Sequence, residues 1–332
     1  MKIAVIGGGS WATALIKLLS DKEFEEATSL SWWVRRKETA DYIRKYGHNP
    51  DYLSSVSIPA KTVEITTDLH SCIASMDLII LAIPSAFLQE QLSALPRDIF
   101  AGKYVASAIK GVIPQSYQVV GSYLKDQFSV PEEKILVISG PCHAEEVALE
   151  KLSFLTIASG SEHSARRLAG LLECRYLKTK TSNDLYGVEY GAVLKNVYAI
   201  AAGICHGLGY GDNFQSVLMC YAVKEMKYFM DRVSPMAREI SDHVYLGDLL
   251  VTAYSQFSRN RSFGMMLGKG YSVKSAQMEM NMIAEGYYAT KSMHEFVEKE
   301  GLSMPILESV YAIIYKHADA REIMRSLIDS FD

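Results

Sequence analysis

Short apolar, β-rich runs alternate with segments of helical periodicity through the first half of the chain. Lys2–Ile6 and Ser29–Val34 predict strands, Ser10–Ser20 predicts a helix between them, and a polar helix is expected from Lys37. The remaining predicted strands are Val63–Thr66, Asp77–Ile83, Lys103–Ile109, Ile135–Ser139, Ser153–Ser159 and Arg175–Thr179. The remaining helices lie near Ala86–Leu95, Ser116–Gln127 and Ala144–Leu149, and one more is expected between the last two strands. This alternation predicts an α/β domain whose sheet is mostly parallel, with right-handed crossovers.

The pattern changes after about Leu185, where long apolar stretches at helical spacing continue to the C-terminus and strand signals almost vanish. We therefore expect two domains, residues 1–185 with the sheet and residues 186–332 all helical. The join near Ser182–Asp184 is polar but short, which predicts closely packed domains.

Composition narrows the class of protein. The chain has 332 residues and a formal net charge of −4, which argues against a general nucleic-acid binder because such a protein needs an excess of Lys and Arg. Its five cysteines are odd in number and form no C-x-x-C pair, so we expect reduced thiols and a cytoplasmic location. No His or Cys cluster has metal-ligand spacing, and no apolar run reaches the length of a membrane span, so neither a metal nor a membrane span is expected.

A glycine-rich motif follows the first predicted strand directly. Gly7-Gly8-Gly9-Ser10-Trp11-Ala12 matches G-x-G-x-x-G/A at a strand-to-helix turn. Gly7 would permit the tight turn, Gly9 would let the backbone approach a pyrophosphate, and the start of the helix would offer free N–H groups. The motif predicts a Rossmann-like dinucleotide site, although a glycine turn without a ligand is the alternative.

Two arginines end the second predicted strand, where an NAD-specific site usually carries Asp or Glu. Arg35 and Arg36 suit the 2′-phosphate of NADP instead, so NADPH is favoured over NADH. A solvated pair of arginines is the alternative interpretation.

Four further patterns could carry chemistry. Lys110 follows a predicted strand at the carboxyl edge of the sheet, and the turn Ser139-Gly140-Pro141-Cys142 follows another. Lys195 lies within an apolar helix, where desolvation would lower its pKa toward the range of a general acid or base. Asp248 and the run Ser258-Arg259-Asn260 offer a carboxylate and a phosphate-binding set. Each also has a structural explanation, namely a surface lysine, a common loop, a snorkelling lysine, a helix cap or a polar turn.

Together these motifs resemble the bacterial NAD(P)-dependent glycerol-3-phosphate dehydrogenases, from Lys2 to about Lys291. The most specific segments are Leu194-Lys195-Asn196, Ala201-Ala202-Gly203, Gly207-Leu208-Gly209-Tyr210-Gly211-Asp212-Asn213, Gly247-Asp248-Leu249, Ser258-Arg259-Asn260 and Glu285-Gly286. The resemblance implies reversible reduction of dihydroxyacetone phosphate to glycerol 3-phosphate, with NADP(H) or NAD(H), in supply of phospholipid precursors. The expected partners are this small phosphorylated substrate and no nucleic acid, and a homodimer stays open.

The resemblance also implies roles for individual residues. Lys195 would be the acid–base residue with Asp248 beside it, and Lys110 would lie between cofactor and substrate. The residues implied to contact the dinucleotide are Gly7, Gly9, Ser10, Trp11, Arg35, Arg36, Lys110, Ala144, Arg259 and Glu285. Those implied to bind the substrate are Lys110, Gly140, Cys142, Lys195, Asp248, Ser258, Arg259 and Asn260. Two positions depart from the family, since Ala12 stands where Gly is frequent and Cys142 where Ser or Thr is common, and a thiol is a weak donor.

Two other classes of function compete with this one. A related two-domain dehydrogenase acting on a β-hydroxy acid would share the fold and the helix lysine, but Ser258-Arg259-Asn260 and Gly247-Asp248-Leu249 argue against it. A non-catalytic dinucleotide sensor would keep the glycine motif but has no need of Lys110, Lys195 and Asp248 together.

Overall fold

The computed structural model describes residues 1–22, 29–59, 62–114, 116–280 and 284–331. The chain divides into two compact units, Met1–Ile109 with Val120–Leu185, and Lys110–Val119 with Tyr186–Asp332. Residues 110–119, which lie within the predicted domain of residues 1–185, group with the helices of the second unit. The reason is local, because Lys110 is held there by contacts to the second unit's own helices.

The first unit is an eight-stranded sheet covered by helices. Its strands are β1 (Lys2–Ile6), β2 (Ser29–Trp33), β3 (Val63–Thr66), β4 (Leu78–Leu81), β5 (Tyr104–Ser107), β6 (Ile135–Ser139), β7 (Ser153–Ala158) and β8 (Leu177–Ser182). Its helices are α1 (Ser10–Ser20), α2 (Lys37–Tyr46), α3 (Leu69–Ala74), α4 (Ser85–Leu92), α5 (Val120–Phe128), α6 (Ala144–Ala148) and α7 (Glu162–Leu172). The α/β prediction is confirmed.

The strand order β3-β2-β1-β4-β5-β6-β7-β8 places β1 at the point where the order reverses. All neighbouring strands pair in parallel except β6 and β7, which are antiparallel. In such a sheet the ligand crevice lies outside the carboxyl ends of the strands beside the switch point, here β1 and β4. The glycine motif therefore stands where a dinucleotide fold places its ligand.

Several predicted boundaries shift. Strands β4 and β5 are shorter than Asp77–Ile83 and Lys103–Ile109, so Lys110 lies in the loop beyond β5. Helix α3 was not predicted, because six residues hold too little periodicity to reveal a helix. Its N-cap is visible in the structure, where Asp68 accepts a hydrogen bond from the backbone N–H of Ser71 at 3.1 Å.

The second unit is helical, as predicted. It contains α8 (Leu185–Gly207), α9 (Asp212–Val233), a π turn (His243–Gly247), α10 (Asp248–Tyr254), α11 (Arg259–Gly268), α12 (Val273–Glu279), α13 (Glu285–Glu300), α14 (Pro305–Tyr315) and α15 (Ala320–Asp329). Helix α8 is buried along most of its length. Within the described residues, no helix is long and apolar enough to cross a membrane.

Glycines let α8 and α11 touch backbone to backbone. A Cβ on Gly264 would stand 2.1 Å from the carbonyl oxygen of Ile200, and one on Gly203 would stand 2.1 Å from that of Arg261. No side chain fits in either gap, so the two helices pack at the minimum separation. This contact sets where the first turn of α11, with Arg259 and Asn260, lies relative to Lys195 on α8.

Candidate active site

Three predicted site residues form one buried cluster in the second unit. Lys195 donates from Nζ to Oδ1 of Asp248, and Lys110 donates from Nζ to the other oxygen, Oδ2, at 3.0 Å. The side chain of Asp248 is 1% exposed and that of Lys195 is 5% exposed, while that of Lys110 is 19% exposed. One carboxylate thus holds two ammonium groups side by side.

The electrostatics of the cluster favour a lysine that exchanges protons. Burial lowers the pKa of Lys195 to about 7, Asp248 opposes that shift and Lys110 adds to it. Burial works to raise the pKa of Asp248, but Lys110 and Lys195 outweigh it and hold the carboxyl ionised. A lysine with a pKa near neutrality can both donate and accept a proton at working pH.

An amide relay fixes the surroundings of Lys195. Asn196 donates from Nδ2 to the carbonyl oxygen of Lys110 at 2.9 Å and accepts through Oδ1 from Nδ2 of Asn260 at 2.9 Å. Asn260 in turn accepts through Oδ1 from the backbone N–H of Gly286 at 2.9 Å. The relay joins the loop after β5 to α8, α11 and the start of α13. Asn196 stands within a motif of the sequence, but no local pattern indicates this role, because its partners lie far away along the chain.

The predicted phosphate-binding run begins α11. Ser258 is its N-cap and accepts at Oγ from the backbone N–H of Arg261 at 3.2 Å, while Asn260 is buried in the relay. Arg259 occupies the first helical position and is exposed. Arg259 is therefore the exposed residue of the run, between two buried ones.

Glu285 begins α13 near these cations. Burial raises the pKa of its carboxyl group, and Arg259, Lys110 and Lys195 oppose the shift. Its Oε2 is buried and has no hydrogen-bond partner among the described residues. A buried oxygen without a donor fits a residue that completes its bonding with a ligand.

The glycine motif lies at the predicted turn of the first unit. Gly7 has φ +142°, and a Cβ there would stand 2.3 Å from the carbonyl oxygen of Ala82 after β4, so only glycine fits. No described atom lies within 4 Å of a Cβ built on Gly9, which leaves the backbone approachable. Nε1 of Trp11 is buried and lacks a partner among the described residues. These features fit a bound dinucleotide.

The remaining predicted site residues of the first unit lie at other turns and helix starts. Arg35 and Arg36 are exposed after β2, and Arg36 pairs with Asp51. Gly140 and Cys142 follow β6, and the Cys142 thiol donates to the carbonyl oxygen of Phe154 at 3.0 Å. Ser10 and Ala144 begin α1 and α6. The weak thiol donor of Cys142 is thus engaged with the backbone.

Comparison with known proteins decides the family. The model of the NAD-dependent glycerol-3-phosphate dehydrogenase N-terminus matches residues 2–165, and that of the C-terminus matches residues 184–325. This chain belongs to that family. Curated glycerol-3-phosphate dehydrogenases [NAD(P)+] are similar over their length: that of Salinibacter ruber is 34% identical, with 98% of this chain and 94% of the relative covered, and that of Bacillus pumilus is 33% identical with the same shares.

Solved structures agree with the family assignment. The glycerol-3-phosphate dehydrogenase of Coxiella burnetii has a TM-score of 0.91 at 27% identity, covering 99% of this chain and 98% of that one. A ketopantoate reductase of Ralstonia eutropha has a TM-score of 0.60 at 16% identity, covering 99% and 100%, and shares the fold alone. The family resemblance seen in the motifs is confirmed.

Proposed function

We propose that this protein reduces dihydroxyacetone phosphate to sn-glycerol 3-phosphate, reversibly, with NADPH or NADH. The observation that carries the proposal is the buried cluster of Lys195, Asp248 and Lys110. Its chemistry is that of a ketone reductase, because reduction of a carbonyl requires a proton donor where negative charge develops on oxygen. The product is the backbone of glycerophospholipids, and we assign the enzyme to their supply in the cytoplasm.

A bound dinucleotide would supply hydride for the ketone carbon. Lys195 as ammonium donates a proton to the carbonyl oxygen, so that one hydride and one proton convert the ketone to an alcohol. In the reverse direction neutral Lys195 removes the hydroxyl proton. Asp248 orients the ammonium, and Lys110 contributes positive charge at the site of the developing oxyanion.

Arg259 is our candidate for anchoring the substrate phosphate. Its planar guanidinium can pair with two phosphate oxygens, and its place at the start of α11 adds the positive end of the helix dipole. Ser258 and Asn260 retain one hydroxyl hydrogen and one amide hydrogen beyond the bonds described above. Gly140 and Cys142 are proposed to line the same substrate.

The cofactor would bind along the carboxyl edge of the sheet. The residues that we assign to the dinucleotide are Gly7, Gly9, Ser10, Trp11, Arg35, Arg36, Lys110, Ala144, Arg259 and Glu285. NADPH is favoured because Arg35 and Arg36 stand where an NAD-specific site carries a carboxylate. Residues 1–185 would then hold the cofactor and residues 186–332 the substrate, with Lys110 supplied by the intervening loop.

Initial rates of NADPH and NADH oxidation by the purified protein test the proposal. We expect turnover with dihydroxyacetone phosphate, and only slow turnover with 2-oxo and 3-oxo acids. Binding of the dinucleotide without turnover would indicate the sensor instead, and a preference for a 3-oxo acid would indicate the β-hydroxy acid dehydrogenase. Lys195→Met serves as the control, since it removes the proposed proton donor and leaves the glycine motif untouched.

A further inference from the structure

Three consecutive carbonyl groups of the glycine motif are each held by a buried side chain. Trp32 donates from Nε1 to the carbonyl oxygen of Gly7 at 2.6 Å, Asn49 donates from Nδ2 to that of Gly8 at 3.0 Å, and Thr13 donates from Oγ1 to that of Gly9 at 3.0 Å. All three donor residues have no exposed surface. The turn is therefore tied to the interior at every peptide unit from Gly7 to Ser10.

This tethering fixes the direction of the N–H groups. In a planar trans peptide the N–H of the following residue points opposite to the carbonyl. With the three carbonyls turned to buried donors, the N–H groups of Gly8, Gly9 and Ser10 point away from them, toward the outer side of the turn. Such N–H groups at a helix start are the donors that bind phosphate in dinucleotide folds.

Asn49 uses its whole hydrogen-bonding capacity in this arrangement. Its Nδ2 donates to Gly8 and also to Oγ1 of Thr13 at 2.9 Å, and its Oδ1 accepts from the backbone N–H groups of Asp51 at 3.0 Å and Tyr52 at 3.3 Å. Since both donors and both acceptor sites have partners, the orientation of the amide is determined. The hydroxyl of Thr13 links the two ends of this arrangement, because it accepts from Nδ2 of Asn49 and donates to the carbonyl oxygen of Gly9.

We propose that Asn49 and Thr13 are positioning residues of the dinucleotide site, which hold the Gly8 and Gly9 carbonyls back so that the N–H groups of the turn are preset for the pyrophosphate. The inference rests on the proposed cofactor site and adds residues that the motif does not contain. A preset turn gives up no conformational freedom when the cofactor binds, so the benefit falls on affinity.

Thr13→Val is the sharpest test because it replaces the hydroxyl with a methyl group of similar size. In Thr13→Val the carbonyl of Gly9 keeps its bond from the backbone N–H of residue 13, but it loses the hydroxyl, and the Nδ2 hydrogen of Asn49 that the hydroxyl accepts is left without a partner. We expect the dissociation constants of NADPH and NADH, measured by quenching of tryptophan fluorescence or by calorimetry, to rise about tenfold, the usual size for the loss of one buried hydrogen bond with an unsatisfied partner. The loss should be equal for both cofactors, since the pyrophosphate is common to them. At saturating cofactor, kcat and the KM for dihydroxyacetone phosphate should stay within about twofold, because Lys195 is untouched.

Asn49→Ala tests the hydrogen bond from Asn49 to the carbonyl of Gly8, but it can also affect a second part of the cofactor site. Asp51, whose N–H it holds, pairs with Arg36, so this variant could also disturb the proposed 2′-phosphate site. An equal loss for NADPH and NADH supports the role assigned to Asn49. A loss confined to NADPH would overturn it, because the effect would then run through Arg36 and not through the turn.

Ser31→Ala is the matched control, since it also removes a buried hydroxyl from the first unit but does not contact the glycine motif. The proposal is overturned if Thr13→Val binds both cofactors normally and its melting temperature falls only as far as that of Ser31→Ala. Thr13 would then have a structural role alone.

Gly9→Val separates this failure from failure of the cofactor site itself. The backbone of Gly9 has φ −86°, which valine tolerates, but the side chain would block approach of a pyrophosphate. Normal binding by Gly9→Val would refute the cofactor site. Lost binding in Gly9→Val with normal binding in Thr13→Val would refute only the positioning role.

Discussion

Lys195 and Asp248, which lie 53 residues apart in the chain, form a buried ion pair in the structure. Asp248 is the first residue of α10, directly after the π turn, and Lys195 lies midway along α8. The pair places a proton donor in a low-dielectric position while the carboxylate keeps it oriented. Burial and Lys110 favour the neutral amine, and Asp248 favours the ammonium. This balance has consequences that can be measured.

Lys195→Met should lower kcat by about 10²–10⁴-fold, the usual contribution of a general acid, because methionine keeps the apolar stem but cannot donate a proton. The comparison needs steady-state rates with dihydroxyacetone phosphate and a cofactor dissociation constant. The latter should stay close to that of the unmodified enzyme. A near-normal kcat would remove Lys195 from the reaction and move the role to Lys110.

The pH dependence of kcat/KM should reveal the charges around Lys195. Reduction requires the ammonium, so its rate should fall as pH rises through the pKa of Lys195, and oxidation should rise over the same range. Asp248→Asn removes the group that raises this pKa, so the fall of the reduction rate should shift to lower pH. Lys110→Met removes a group that lowers the pKa of Lys195, so the same fall should shift to higher pH. Midpoints are compared, not absolute rates, and shifts in the same direction would contradict the assigned balance.

The sequence predicted the strands and the glycine motif because these depend on local patterns. An apolar run such as Lys2–Ile6 followed by Gly7 carries its own signal of a strand and a tight turn. The pairing of Lys195 with Asp248 was suggested by resemblance and not by spacing, since nothing local brings α8 beside α10. Asn49 escaped notice for the same reason, because a single asparagine in a polar segment predicts only a turn.

The arginines after β2 should discriminate between the cofactors. Changing Arg35 and Arg36 together to Ala should raise the KM for NADPH about tenfold while that for NADH changes little, because only NADPH carries the 2′-phosphate. Asp51→Asn is an informative companion, since it frees Arg36 from its carboxylate partner and should favour NADPH. Equal effects of the double change on both cofactors would identify the arginines as a solvated surface pair.

The contact between α8 and α11 should tolerate no side chain. Gly264→Ala would place a Cβ 2.1 Å from the carbonyl oxygen of Ile200, and separating the helices should cost about 3 kcal/mol or more in unfolding free energy. Gly170→Ala is the matched control: it is an exposed glycine within α7, and no described atom lies within 4 Å of the added Cβ. There a small gain of about 0.5–1 kcal/mol is expected. Urea denaturation of the two variants checks both signs, and equal stabilities would contradict the close packing.

Arg259→Lys tests whether the substrate phosphate is held by a two-pronged contact. Lysine keeps the positive charge but loses the planar fork. At saturating NADPH, kcat/KM for dihydroxyacetone phosphate should therefore fall roughly thirtyfold, which corresponds to about 2 kcal/mol of transition-state stabilisation. The ketone is two bonds from the phosphate ester oxygen, so a misplaced phosphate also misplaces the reacting carbon. The loss should therefore appear in kcat as well as in KM.

Unphosphorylated dihydroxyacetone completes the comparison, because it offers the same ketone without the phosphate. It should be a poor substrate for the unmodified enzyme, and its residual turnover should not change in Arg259→Lys. An equal loss on both substrates would instead assign Arg259 to the cofactor, a role that its electrostatic contact with Glu285 makes physically reasonable. Full activity of Arg259→Lys toward the phosphorylated substrate would contradict the two-pronged contact between Arg259 and the phosphate. A point charge at the start of α11 would then be enough to hold the phosphate.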